Sequence, residues 1–179
     1  MGIRRTASDA IAYERALFSS KPGNWPDLRA SDDSVTESDK QKFMVAWCHG
    51  APGIGLARIH SLQHLDEPTT RSDIETALRT TLAQGFGHNH CLCHGDLGNL
   101  ELLLQASQVI GSEWQEHLNR MTGIIFESIK RHGWLCGNPV KVESPGLMTG
   151  LAGIGFELLR LAEPLRVPSV LVLAPLVIM

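Results

Sequence analysis

The 179-residue sequence has no run of basic residues, and its formal net charge is −3. A protein that binds nucleic acid needs a basic surface to neutralise phosphates, so we exclude nucleic acid as a partner. The sequence also lacks an apolar run of the roughly 20 residues that a membrane span requires. The longest run, VPSVLVLAPLVIM at the C-terminus, is interrupted by Pro168 and Pro175. We therefore expect no transmembrane segment and a C-terminal tail that packs on the body of the protein.

The N-terminal MGIRRTASDA carries charges but no apolar stretch after them, so it is neither a signal peptide nor an anchor. We therefore expect a cytoplasmic protein. Hydrophobic residues make up 43% and charged residues 20%, which is typical of one soluble globular domain, here residues 1–179. In a reducing compartment, cysteines that cluster with histidines indicate a metal or catalytic site more often than disulfides.

A repeated glycine unit organises the chain. Each copy has glycine at its first and fourth positions and then becomes apolar: GAPGIGLARI from Gly50, GDLGNLELLL from Gly95 and GLAGIGFELL from Gly150. Glycine at the start of a helix permits a sharp loop and a close approach of backbones. The stretch LELLLQASQVI after the second unit is apolar on most faces, which predicts a helix buried among other helices.

Between the glycine units lie segments with an apolar stripe on one side only. Ser112 and Gln115 form a capping-box pattern that starts such a helix, which should end near Gly133. Its apolar positions recur at helical spacing: Trp114, Leu118, Met121, Ile125 and Ile129. A second helix is expected behind Ser72, with Ile74, Leu78 and Leu82 on its stripe. A weaker one is expected behind Ser8, with Ala10, Ile11, Tyr13, Leu17 and Phe18.

The chain therefore alternates an amphipathic outer helix with a buried inner helix, three times. Strand signals are nearly absent, so we predict an all-α fold. Stacked helical hairpins that close on themselves form an α/α toroid, whose inner helices surround a central cavity. The sequence predicts part of such a toroid, with about three hairpins.

Cysteine and histidine precede two of the predicted inner helices. By repeat equivalence, Cys48 and the pair Cys93–His94 should face the same cavity. A catalytic zinc ion keeps three protein ligands and one open position, and thiolate and imidazole are ligands it prefers. We therefore predict a Zn²⁺ site formed by Cys48, Cys93 and His94. Taken alone, Cys48 would be typical of a small buried apolar side chain.

The neighbouring polar residues receive separate interpretations. His88, His90 and Cys91 lie outside the repeat and are expected in a solvated loop. Asp96 is expected to cap the inner helix, with a contact to a metal ligand as the alternative.

His49 follows a predicted zinc ligand directly. We predict it as a catalytic acid or base at the cavity rim, with a merely exposed histidine as the alternative. Cys136, in WLCGNPV, has no partner in the repeat and is expected to be structural.

Several separated strings resemble the C-terminal cyclase region of class II lanthionine synthetases, in the same order. They are GNWPDLR (23–29), WCHGAPGIG (47–55), CHGDLGN (93–99), LMTGLAGIGFELLRL (147–161) and VPSVLVLAP (167–175). The resemblance to this lanthionine synthetase C-like family implies an α/α toroid with a central zinc ion bound by Cys48, Cys93 and His94. It also implies a reaction: cysteine thiols of a dehydrated precursor peptide add to dehydroalanine or dehydrobutyrine and form thioether rings.

The sequence departs from this family in its extent. Only three of the six or so hairpins of a closed ring are expected, and the earlier hairpin that carries the acid/base histidine of the family is absent. The resemblance therefore implies the C-terminal part of a larger architecture, which would have little activity alone and would associate with the remaining synthetase domains or with itself. Two alternatives are a relative that adds glutathione and a non-catalytic, zinc-stabilised module that completes a partner's toroid.

Overall fold

A computed structural model of the chain describes residues 2–28, 43–140 and 142–173. Within these ranges the secondary structure is helical, apart from two isolated bridge pairs. The α-helices are α1 (Ile3–Ala16), α2 (Ala51–Ser61), α3 (Pro68–Gln84), α4 (Asp96–Val109), α5 (Glu113–His132) and α6 (Leu151–Ala162), followed by a 3-10 turn at Val170–Val172. The prediction of an all-α fold is confirmed.

The inner helices α2, α4 and α6 form a row in which α4 contacts both of its neighbours. Helix α3 packs along α2, and α5 packs along α4. The central helix α4 is buried on nearly all sides, with Leu97, Leu100, Leu102 and Leu103 fully inaccessible. This arrangement of inner and outer helices is that of a partial α/α toroid, as the repeat predicted.

The two close pairs join α2 to α3 and α4 to α5, that is, an inner helix to the outer helix that follows it. The sequence had suggested outer helices that precede their partners, but α1 buries none of its residues. Ion pairs attach α1 to the body: Arg15 to Asp73 at 2.8 Å and Glu14 to Arg58 at 2.8 Å. The first predicted hairpin is therefore an ion-paired attachment rather than a packed pair.

The repeat glycines allow each inner helix to touch the loop before it. A Cβ atom at the fourth position would overlap the carbonyl oxygen of the residue six positions earlier: Gly53 with Trp47, Gly98 with Leu92 and Gly153 with Leu147. Such close approach of backbones requires glycine. The predicted reason for the repeat is therefore confirmed at three equivalent places.

One predicted helix start, behind Ser112, and one predicted end were right, whereas the starts behind Ser72 and Ser8 were wrong. Helix α5 follows Ser112, but this serine caps no N–H group with its side chain, and the Gln115 amide donates to Asn119 instead. Helices α3 and α1 begin before Ser72 and Ser8; α3 starts at Pro68, whose ring suits the first helical turn. Helix α5 ends before Gly133, which has a φ of 72°.

A buried polar cluster joins α4 to α6. The Arg160 guanidinium donates to the Glu101 carboxylate at 2.7 Å, and the Gln105 amide donates to the same carboxylate at 2.8 Å. Glu157 is also buried there, and burial together with the nearby Glu101 charge raises its pKa well above the usual range. The interface of two inner helices therefore holds two carboxyl groups and one guanidinium.

The described part of the C-terminal segment packs on the body, as expected. Leu171 is buried, and its carbonyl oxygen accepts a hydrogen bond from the Trp47 indole at 3.1 Å. The apolar residues after Leu173 lie outside the described residues. None of the described helices combines the length and apolar character needed to span a bilayer.

Candidate metal centre

The loops before the three inner helices lie side by side and are joined through equivalent residues. The Cys48 N–H donates to the Cys93 carbonyl oxygen at 3.2 Å, and the Cys93 N–H donates to the Met148 carbonyl oxygen at 2.9 Å. Each of these residues lies two positions before the first glycine of its unit. The repeat therefore brings equivalent loop positions to one end of the inner helices.

The three predicted zinc ligands lie together at this end. The ligand atoms of Cys48, Cys93 and His94 are all within 4.8 Å of one another, and the three residues are half-buried. Zinc bonds are about 2.3 Å to sulfur and about 2.1 Å to imidazole nitrogen, so two ligands of one ion lie roughly 4 Å apart. Two thiols and one imidazole at this spacing fit a zinc ion with little movement.

The His94 ring is oriented by a backbone group. Its Nε2 atom lies 2.8 Å from the Gly137 carbonyl oxygen, in the segment after α5. A carbonyl accepts only, so Nε2 carries the proton in this hydrogen bond and Nδ1 is left as the nitrogen that can bind a metal. Histidine ligands of metals are commonly held in this way.

His90 and Cys91 are buried, so the expectation of a solvated loop was wrong for both; His88 is exposed as expected. His90 lies under the segment after α5: its N–H donates to the Leu135 carbonyl at 2.8 Å, and its Nδ1 accepts from the Leu135 N–H at 3.1 Å. Its Nε2 lies 2.9 Å from the Ser128 hydroxyl. Burial lowers the His90 pKa, so a neutral ring fits this position.

Burial also raises the pKa of the Cys91 thiol. The Cys91 sulfur accepts a long hydrogen bond of 3.5 Å from the His94 N–H. A protonated thiol with these contacts is a poorer metal ligand than the half-buried Cys48 and Cys93. Cys136 belongs to the hydrophobic core, in agreement with its expected structural role.

Asp96 does not cap its own helix. It is the first residue of α4, and its carboxylate accepts hydrogen bonds from the backbone N–H groups of Gly87 at 3.1 Å and His88 at 3.2 Å. Burial raises its pKa, and these hydrogen bonds act in the opposite direction. Asp96 thereby shapes the loop that leads to the metal site, and its predicted contact with a metal ligand stays a prediction.

His49 lies at the rim of a cleft, beside a residue that the sequence analysis missed. Its Nδ1 atom is 3.4 Å from the Asp27 carboxylate, which is buried, whereas the His49 side chain is 24% exposed. The cleft has a volume of about 560 Å³, and its lining includes Cys48, Trp47 and Leu171. Asp27, His49 and Cys48 together line a second cleft of about 410 Å³, so the His–Asp pair opens on the same space as one predicted zinc ligand.

Two asparagines brace the loops and were also missed. The Asn24 side chain accepts from the Ala51 N–H at 2.8 Å and donates to the Met44 carbonyl at 2.9 Å, so it holds the loop that carries Cys48. Asn99 donates to the carbonyls of Val45 at 2.8 Å and Gly85 at 2.6 Å. A buried asparagine that satisfies backbone groups carries no periodic signal in a sequence.

Comparison with known proteins gives the family. The model of the lanthionine synthetase C-like protein family matches residues 2–172. The chain is also similar to the lacticin 481/lactococcin biosynthesis protein LcnDR2 of Lactococcus lactis subsp. lactis, with 29% identity over 150 residues that cover 76% of this chain. That alignment covers 15% of the relative's length. The resemblance noted in the glycine-unit strings is thus confirmed: the chain belongs to the lanthionine synthetase C-like family.

Proposed function

We propose that the chain is a zinc-dependent cyclase domain that acts as part of a larger lanthionine synthetase. Its substrate would be a dehydrated precursor peptide, and its products would be lanthionine and methyllanthionine rings. The observation that carries the proposal is the convergence of Cys48, Cys93 and His94 on one point beside a cleft. Family membership and the name of the matched relative support a peptide substrate.

Cys48, Cys93 and His94 would hold the zinc ion. When bound, zinc supplies the thiolate form of a coordinated thiol and holds it in place at neutral pH. Three protein ligands leave a coordination position for the substrate thiol. The apolar cleft wall at Trp47 and Leu171 would exclude water from the peptide.

His49 would act as the acid or base that transfers the proton during this addition. The substrate thiol gives up its proton, its sulfur forms a bond with the β-carbon of the dehydro residue, and the double-bond electrons become an enolate. One proton must then reach the α-carbon, so the addition consumes no proton overall. Histidine suits proton transfer near neutral pH, and His49 lies next to a zinc ligand at the rim of the cleft. Asp27 would hold the Nδ1 side of the ring, so that Nε2 is the nitrogen available to the substrate.

The location and partners are part of the same proposal. None of the four cysteines forms a disulfide, which fits a zinc site and a reducing cytoplasm. Leu159 on α6 is 63% exposed and Leu165 after it is 87% exposed. We propose that the remaining synthetase domains cover this side of α6, or that the chain associates with itself there.

The deciding experiment combines zinc, the chain and a dehydrated, uncyclised precursor. After incubation, free thiols are alkylated and the peptide mass is measured by mass spectrometry. Each ring consumes one cysteine thiol and so removes one site of alkylation. The assay is run with the chain alone and with the rest of a synthetase added. Ring formation that requires Cys48 supports the proposal, whereas an unchanged alkylation pattern in both arms contradicts it.

Two other functions are tested in parallel. A glutathione-adding relative would increase the peptide mass by glutathione in the presence of that thiol and would leave the peptide's own cysteines free. A non-catalytic module that completes a partner's toroid would restore activity equally well with His49→Ala and with the parent chain. The His–Asp pair at the cleft favours the cyclase over the module.

A further inference from the structure

The segment after α5 passes close to the metal centre and joins two of the loops that build it. The Gly137 carbonyl oxygen lies 2.8 Å from His94 Nε2, and the Gly137 N–H donates to the Thr149 carbonyl oxygen at 2.8 Å. Thr149 occupies in the third unit the position that His94 occupies in the second. One residue outside the repeat therefore connects equivalent positions of two repeats.

We propose that Gly137 is a positioning residue for the metal centre. Its carbonyl oxygen accepts a hydrogen bond from the His94 Nε2–H and thereby selects the form of the ring in which Nδ1 is free to bind zinc. The inference rests on the proposed zinc site. It adds which His94 nitrogen binds the ion and which residue determines this. Such contacts behind a ligand commonly change metal affinity by roughly 10- to 100-fold.

The space around Gly137 explains why this position holds glycine. A Cβ atom there would overlap the Cys91 sulfur and would lie 2.8 Å from His94 Nε2. Cys91 is fully buried, so its sulfur cannot turn out into solvent. Gly137 has no positive φ, so its backbone conformation alone would accept alanine. The requirement is for space beside the ligand ring, and a side chain would displace either the ring or the segment.

His90 holds the segment in register. It exchanges two hydrogen bonds with the backbone of Leu135, and its other ring nitrogen reaches Ser128 on α5. All of this lies in the interior, since His90 is fully buried. The Gly137 carbonyl is therefore presented by a fixed segment, which a positioning role requires.

Gly137→Ala is the direct test, with Gly123→Ala as its matched control. Gly123 lies on α5, and a Cβ there would meet no atom within 4 Å. Zinc affinity is measured by competition with a coloured chelator, and folding of the zinc-free proteins by circular dichroism. We expect Gly137→Ala to bind zinc roughly 10- to 100-fold more weakly, and Gly123→Ala to bind as the parent does. Parent-like affinity in Gly137→Ala would overturn the inference.

A second measurement does not depend on the variant. Long-range proton–nitrogen correlation spectra of the zinc-loaded parent, labelled with ¹⁵N-histidine, identify which His94 nitrogen carries a proton. We expect a protonated Nε2 and a metal-bound Nδ1; zinc on Nε2 would overturn the inference even if Gly137→Ala failed to fold. A parent that binds no zinc refutes the proposed function itself, whereas a zinc-binding parent with Nε2 as the ligand refutes the positioning role alone.

Discussion

The Cys48 N–H donates to the Cys93 carbonyl oxygen at 3.2 Å, so two candidate zinc ligands are joined through their backbones as well as by their proximity. These cysteines come from different repeats and lie on different loops. Their main chains are therefore held side by side before any metal binds, with the ligand atoms already within 4.8 Å of one another. Preorganised ligands need little rearrangement to bind an ion, and this motivates the first prediction.

We expect one zinc ion per chain, lost when any member of the trio is replaced. Cys48→Ala, Cys93→Ala and His94→Ala should each lower the zinc content well below one equivalent, because two ligands do not make a tight site. Cys91→Ala should retain a full equivalent. The measurement is elemental analysis of the purified proteins after dialysis. Zinc retained by Cys48→Ala and lost by Cys91→Ala would show that the ligand assignment is wrong.

His49→Ala should slow ring formation while leaving zinc content unchanged. Proton transfer by a positioned side chain typically contributes about 10²- to 10⁴-fold to a rate, so a loss in that range is expected. Asp27→Asn should cause a smaller loss, because it keeps the shape and weakens only the contact with the ring. Both rates come from the alkylation assay under conditions in which the parent is active, and a parent-like rate for His49→Ala would remove it from the mechanism.

Glu157 should contribute a loss of stability as pH rises above the usual glutamate range. Its pKa is raised in the folded protein, so above about pH 4.5 the folded state keeps a proton that the unfolded state has released. The free energy of unfolding therefore decreases with pH up to the folded pKa. Glu157→Gln should flatten this decrease, since glutamine stays neutral.

Urea unfolding between pH 5 and pH 8 measures this effect, with the exposed Glu116→Gln as the control. The control should keep the slope of the parent. If Glu157→Gln and the parent show the same dependence on pH, the buried pair with Glu101 does not share a proton, and the Arg160 guanidinium is sufficient to balance both carboxylates.

Gly98→Ala should destabilise the fold through a backbone clash. Its Cβ would overlap the Leu92 carbonyl oxygen, and neither atom can rotate away as a side chain can. Overpacking in a rigid interior costs roughly 1–3 kcal/mol, and we expect at least this loss in the free energy of unfolding. Gly155→Ala, in α6 with nothing within 4 Å of its Cβ, should instead be neutral or slightly stabilising. Urea titration of the two variants distinguishes them.

The repeat made the trio predictable, whereas the contacts around it were not. Gly50, Gly95 and Gly150 carry a period, and a period implies that the preceding residues are equivalent in space. His90 and Gly137 carry no such signal, because their contacts, with Leu135 and with His94 respectively, form only where the segment after α5 passes the loop. Histidine is found both buried and exposed in proteins, so residue type alone did not reveal that His90 is buried.

Helix boundaries were less predictable for a related reason. Ser112 does lie directly before α5, but Ser72 and Ser8 lie inside helices that begin earlier, and α3 begins at a proline. Asp27 was missed because a single aspartate in GNWPDLR has no partner in the sequence. Its partner, His49, is adjacent to it only in space.

The hydrogen bonds from Cys48 to Cys93 and from Cys93 to Met148 join equivalent loop positions directly. The arrangement of these loops therefore does not depend on how many residues lie between them in the sequence. The stretch from Gly95 to Gly150 is longer than that from Gly50 to Gly95, yet both pairs of neighbouring loops are joined by the same hydrogen bond. The difference in length falls in the connections between these loops and not in the contacts that join them. Insertions between α5 and α6 that leave residues 135–137 intact should thus change the protein surface without moving Cys48, Cys93 and His94.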